Sequence, residues 1–205
     1  MLIIHYTGMK TTALSLERMC DPLSEVSAHY LIDENGSIYQ LVAEKERAWH
    51  AGESYWKGRS DTNSSSIGIE LQNPGHEWGY RPFPSKQMEA LRELALEIVG
   101  RHKIPADMVL GHSDVAPARK QDPGHLFDWR WLSESGIGIW PMTSEKQIKC
   151  DTETVRSALE AIGYDPKVPL ASNLEAFQRH YRPKCVSGKI DTECAAIIYA
   201  LLGLS

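Results

Sequence analysis

Apolar positions in the first half of the chain come in short runs rather than long periodic stretches. Met1–Tyr6 (Met-Leu-Ile-Ile-His-Tyr) reads as a buried strand that opens the chain. Ala28–Ile32 and Ser37–Val42 read as two strands around Asp33-Glu34-Asn35-Gly36, where Asn-Gly supplies the positive φ angles of a tight hairpin. Ser66–Leu71 alternates as a half-buried strand does, and Val109–Leu110 runs as a further strand into Gly111-His112. Helical spacing is clearest at Met88, Leu91, Leu94, Ala95 and Ile98, with Ser85 as the expected N-cap and an end near Gly100–Lys103, ahead of Pro105. A shorter helix is expected at Leu14–Met19. Strands interleaved with helices predict an α/β fold: a mixed central sheet packed by helices.

Between and beyond these elements the pattern changes character. Gly52–Ser65 has no period and is rich in Gly, Ser and aromatics, the composition of a binding loop on a rigid scaffold. Trp129–Leu132 starts a short helical element, and Ser133–Lys149 has no clean period. A boundary is therefore expected there: a first unit at residues 1–135, a linker at 136–149 and a small C-terminal three-helix domain at 150–205. In that last unit Val155, Leu159 and Ile162 line one helix, which stops at Gly163. Ser172-Asn173-Leu174-Glu175 reads as a capping box opening the second, and Asp191-Thr192 caps the third.

Composition narrows the partners. The 205 residues carry 22 basic and 27 acidic side chains, a net charge of −5, so a broad basic face for nucleic acid is excluded. The longest apolar run, Cys194–Leu204, falls short of the roughly 20 residues of a membrane span. No charged leader precedes the first strand, so the chain is expected to be cytosolic or to have lost its signal. Cys20, Cys150, Cys185 and Cys194 lack the paired spacing of a structural zinc site; Cys185 and Cys194 are close enough in sequence to bridge, and four separate thiols fit as well.

Chemistry concentrates at strand ends. His5 closes the first strand and His112 a later one, and the loop after His112 carries Lys120 and Asp122 between Pro117 and Pro123. Two imidazoles and a carboxylate would make a three-ligand zinc site with its fourth position open, the catalytic arrangement.

The string Gly111-His112-Ser113-Asp114 through Arg119-Lys120-Gln121-Asp122-Pro123-Gly124 resembles the zinc-dependent N-acetylmuramoyl-L-alanine amidases of the amidase-2 family. Further matches lie in order at Ile4-His5-Tyr6-Thr7, Ser27-Ala28-His29-Tyr30, Gly36-Ser37-Ile38-Tyr39, Ala48-Trp49-His50-Ala51-Gly52 and Ser66-Ile67-Gly68-Ile69-Glu70. His125 departs from the pattern, standing where many members have proline. The resemblance implies a peptidoglycan or muropeptide substrate, cleaved between the lactyl group of N-acetylmuramic acid and L-alanine. It implies His5, His112 and Asp122 as ligands of one Zn2+, Glu70 as the acid/base carboxylate and Lys120 as the cation at the oxyanion. His29, His50, Trp56, Asn63 and Arg119 are the candidate substrate contacts, with Trp49 and Tyr55 beside them. His76, His102, His125 and His180 are assigned to structure or surface.

Each residue also has an ordinary reading. A lone histidine at a strand end is usually a satisfied core or surface group, Asp before Pro is a turn former, and a loop lysine is normally solvated. The agreement of several separated motifs outweighs these for His5, His112 and Asp122. The C-terminal stretch resembles the type 1 peptidoglycan-binding domain through Val155-Arg156, Ala176-Phe177-Gln178-Arg179 and Gly188-Lys189-Ile190-Asp191, the ordinary alternative being a stabilising helical cap. A wall-binding unit implies the envelope or periplasm; without a leader, a cytosolic anhydro-muropeptide amidase is the other expectation. From a different class, a non-catalytic peptidoglycan-recognition protein would keep the groove and lack the chemistry.

Overall fold

The computed structural model describes residues 1–143 and 151–203. Its frame is a five-stranded sheet of β1 (Leu2–Tyr6), β2 (Tyr30–Ile32), β3 (Ile38–Gln40), β4 (Ile67–Leu71) and β5 (Val109–Gly111), in the order β3-β2-β4-β1-β5. β2 and β3 are the expected hairpin, turned at Gly36 with φ +89°, and the other pairings are parallel. Central parallel strands are covered on both faces, so β4 is buried throughout rather than half-buried as its alternation suggests.

Alternation assigns the two faces. Leu2, Ile4, Ile67, Ile69 and Leu71 face α3 (Ser85–His102), which buries Met88, Leu91, Leu94, Ala95 and Ile98 against them. The N-cap of α3 is Pro84 rather than Ser85, because proline's fixed φ suits the entry and no side chain caps the turn. On the opposite face, α1 (Thr12–Cys20), capped by Thr11, places Met19 over Ala28 and Leu31. The short α2 (Gly75–Trp78) has no counterpart in the sequence reading.

The β1–β5 half of that second face is covered from the C-terminus. After α4 (His112–Val115) and α5 (Trp129–Ser133) come α6 (Thr152–Ile162), α7 (Leu170–Tyr181) and α8 (Thr192–Leu201). α7 opens at Leu170 after Pro169, two residues before the expected capping box. Val155, Leu159, Leu174, Phe177 and Ile198 of these helices join Ile3, Leu110, Val115 and Trp56 in one apolar cluster. Cys185 is exposed and unbridged, so the pairing with Cys194 is not made. Residues 144–149 of the expected linker, and Cys150 at the start of the expected C-terminal unit, lie outside the described residues. Among the described residues no helix is long and apolar enough to cross a membrane.

Candidate active site

Register builds the site. His5 pairs with Glu70 across β1 and β4, and Ile4 pairs with Gly111 of β5, so His5, Glu70 and His112 gather at the carboxyl ends of three parallel strands. Open parallel sheets place their ligands at this end. The chain then turns back so that Ser113 N bonds to Asp122 O, which brings Asp122 beside the two rings.

Three atoms converge there. His5 Nδ1 and His112 Nδ1 are 2.9 Å apart, and Asp122 Oδ2 lies 3.1 Å from the first and 2.9 Å from the second. His112 Nε2 stands 3.0 Å from the Ala51 carbonyl, which can only accept, so Nε2 carries a proton and Nδ1 is the ring nitrogen left to offer a lone pair to the triangle. Converging lone pairs fit a cation. Tetrahedral zinc with bonds of ~2.0–2.1 Å sets its ligand atoms roughly 3.3 Å apart, close to this spacing. His5, His112 and Asp122 are therefore a buried group that can hold a metal ion.

The electrostatics agree with that chemistry. Burial, then repulsion from His112, lowers His5 to about 4 despite its Asp122 partner, so the ring is neutral at pH 7. Burial alone would raise Asp122, but in the metal-free site a proton shared with the His112 and His5 rings holds it well below the usual carboxylate range, the place a bound cation would take. Glu70 is 8% exposed, its Oε2 has no hydrogen-bond partner among the described residues, and burial together with the Asp122 charge pushes it up to about 8. Lys120 is half-buried and close enough to act on both Glu70 and His5.

The expected substrate contacts separate. Trp56 is 2% exposed and packs edge-on against Tyr164 at 5.0 Å, so it is core rather than a platform for sugars. His29 is fully buried: Nδ1 accepts from Gly68 N and Nε2 donates to the Glu46 carbonyl, which leaves nothing for a ligand. Asn63 Oδ1 accepts from the backbone N–H groups of both His50 and Ala51 and so clamps that segment. His50 is buried against His5, with ring centroids 5.0 Å apart. Arg119 is exposed, and its Nη2 donates to the Ala51 and Glu53 carbonyls beside the site. Trp49 remains open to solvent.

Comparison with known proteins decides the family. The model of the family Amidase_2, N-acetylmuramoyl-L-alanine amidase, matches residues 1–125. The chain belongs to that family. Among its relatives, the N-acetylmuramoyl-L-alanine amidase AmiD of Escherichia coli K12 is 39% identical over 98% of this chain and 81% of its own length. The solved complex of E. coli AmiD with the substrate anhydro-N-acetylmuramic acid-L-Ala-D-gamma-Glu-L-Lys superposes with a TM-score of 0.89 at 38% identity, over 98% of this chain and 88% of that one. AMPDH3 of Pseudomonas aeruginosa, solved with an anhydromuramic pentapeptide, gives 0.89 at 34% identity over 98% and 90%. The 1,6-anhydro-N-acetylmuramyl-L-alanine amidase AmpD of Haemophilus influenzae is 46% identical, but over 53% of this chain and 58% of its own.

Two supports of this Amidase_2 site were not read from the sequence. Tyr80 Oη donates to the Pro123 carbonyl at 2.8 Å and accepts from Leu126 N at 2.9 Å, pinning the turn that presents Asp122. Asp114, 1% exposed, accepts at Oδ2 from Gly111 N and His180 Nδ1 and at Oδ1 from Tyr164 Oη, each at 2.7 Å. Single tyrosines and a lone aspartate carry no spacing signal, and only the fold brings them together.

Proposed function

We propose that this amidase hydrolyses the amide between the muramic acid lactyl group and L-alanine in peptidoglycan or muropeptides, anhydro forms included, with one Zn2+ held by His5, His112 and Asp122. The observation that carries the reading is a three-donor triangle beside a buried carboxyl whose Oε2 has no hydrogen-bond partner among the described residues. Zinc, when bound, supplies Lewis acidity to the scissile carbonyl and to water. Glu70 takes the proton of the attacking water and delivers it to the departing amine nitrogen, a role that suits a carboxyl raised towards neutrality. Lys120 donates to the oxygen on which negative charge develops. Arg119, whose Nη2 donates to the Ala51 and Glu53 carbonyls beside the site, is our candidate partner for a stem-peptide carboxylate. A pure recognition protein has no use for Glu70 buried in this way, which disfavours the non-catalytic alternative.

The anhydro ligands bound in AmiD and AMPDH3, and the match to AmiD along nearly the whole chain, support a muropeptide substrate. Catalysis is assigned to residues 1–135. For residues 150–205 we infer contact with the wall, supported by the motifs around Val155, Phe177 and Asp191, and with it an envelope location rather than a cytosolic one.

Incubation of the purified chain with anhydro-muramyl-tripeptide should release peptide beginning with L-alanine. A chelator should abolish the release, and added zinc should restore it. Sustained turnover after exhaustive metal removal would overturn the zinc assignment, and no release from any muropeptide would overturn the substrate.

A further inference from the structure

The far side of the His5 ring is as ordered as the side facing the triangle. His5 Nε2 lies 3.0 Å from His50 Nδ1, His50 Nε2 lies 3.3 Å from Ser66 Oγ, and Ser66 Oγ donates to the Thr62 carbonyl at 2.5 Å. The direction of this chain follows from its end. A carbonyl oxygen only accepts, so the single hydroxyl proton of Ser66 goes to Thr62. Ser66 Oγ then has only lone pairs for His50, which must offer Nε2–H. In neutral His50 that leaves Nδ1 as an acceptor, and it takes the proton of His5 Nε2. His5 Nδ1 is thereby left bare, aimed at His112 and Asp122.

The geometry points to His50 as a positioning residue: with Ser66 and the Thr62 carbonyl, it fixes the His5 tautomer that presents Nδ1 to the metal. The same two-residue segment serves both imidazoles, since the adjacent Ala51 carbonyl takes the proton of His112 Nε2. Asn63 holds both of its backbone N–H groups, and Gly68 of β4 leaves room for the His50 ring, whose Cγ would lie 2.4 Å from a Cβ there. His50 therefore acts through His5 rather than on the substrate. The inference rests on the metal-centre reading, but the tautomer can be read without metal.

Nitrogen-15 NMR of the full chain labelled at histidine should show His50 as the Nε2–H tautomer at neutral pH, with and without zinc; the Nδ1–H tautomer would overturn the relay. His50→Leu removes the acceptor and should weaken zinc binding ~10–100-fold in competition with a chelator, and change the absorption spectrum of the cobalt(II)-loaded protein. His50→Asn places an oxygen acceptor near the position of Nδ1 and should recover affinity to within a few-fold. Wild-type affinity in His50→Leu, or equal weakness in the two variants, would overturn the inference. If His50→Leu does not fold, Ser66→Ala decides: binding several-fold weaker supports the relay, and unchanged binding refutes it. A wild-type chain that binds no zinc would sink the metal centre itself, and the tautomer would still judge the relay.

Discussion

Glu70 shows how one buried group links stability to chemistry. Its carboxyl is raised to about 8, above the roughly 4.3 of an exposed glutamate, so in the metal-free protein the folded state holds a proton that the unfolded chain releases. The sign follows directly: the folded state is increasingly penalised as pH rises from 4.5 to 8. Glu70→Gln escapes that penalty. The metal-free variant should therefore melt close to wild type near pH 4 and about 5–10 °C above it near pH 8, measured by circular dichroism. A divalent ion in the triangle draws the carboxyl back down, so zinc should narrow the gap. Turnover should fall ~10²–10⁴-fold in the same variant, since amide oxygen and nitrogen cannot shuttle a proton at this pH. His5 titrates the opposite way: lowered to about 4, it refuses a proton that the unfolded chain accepts, and it withdraws stability from the metal-free protein as pH falls below 6.5.

Among the elements, the strands were legible and the surfaces between them were not. Apolar runs located β1, β4 and β5, and a polar residue at each carboxyl end marked where chemistry gathers. Helix α3 followed from its period. Trp56, by contrast, looked like a ligand platform because its loop has no period, and only the Tyr164 ring packed against it shows it to be core. His29 and Asn63 also looked like groove residues, since their true partners are backbone groups far along the chain, which leave no trace in composition. The Asp122 turn shows the same limit. Gly124 has φ +82°, and a Cβ there would meet Tyr80 Oη at 2.4 Å, so both backbone and neighbour demand glycine. Gly124→Ala should push Tyr80 off the Pro123 carbonyl, lower the melting temperature by about 4–10 °C and weaken zinc binding, whereas Gly136→Ala, with open space around it, should leave zinc affinity unchanged. Calorimetry with chelator competition checks both.

At the scale of the molecule, the C-terminal helices do more than follow a linker. They bury Ile3, Leu110, Val115 and Trp56, and Tyr164 and His180 reach the carboxylate that caps the turn beginning at His112. Without them Asp114 loses two buried partners, each lost bond costing about 1–3 kcal/mol, and a face of the sheet meets water. A chain truncated after residue 143 should therefore aggregate or lose its cooperative melt, rather than survive as a working enzyme with poorer wall contact. Gel filtration and thermal denaturation distinguish the outcomes, and a soluble truncated form with full turnover would show that the helices are dispensable. The Asp114 junction also limits what recombination can do with this protein. A tail borrowed from elsewhere cannot be clipped on like a cassette, because any replacement must bring its own phenol and imidazole to the same buried oxygens.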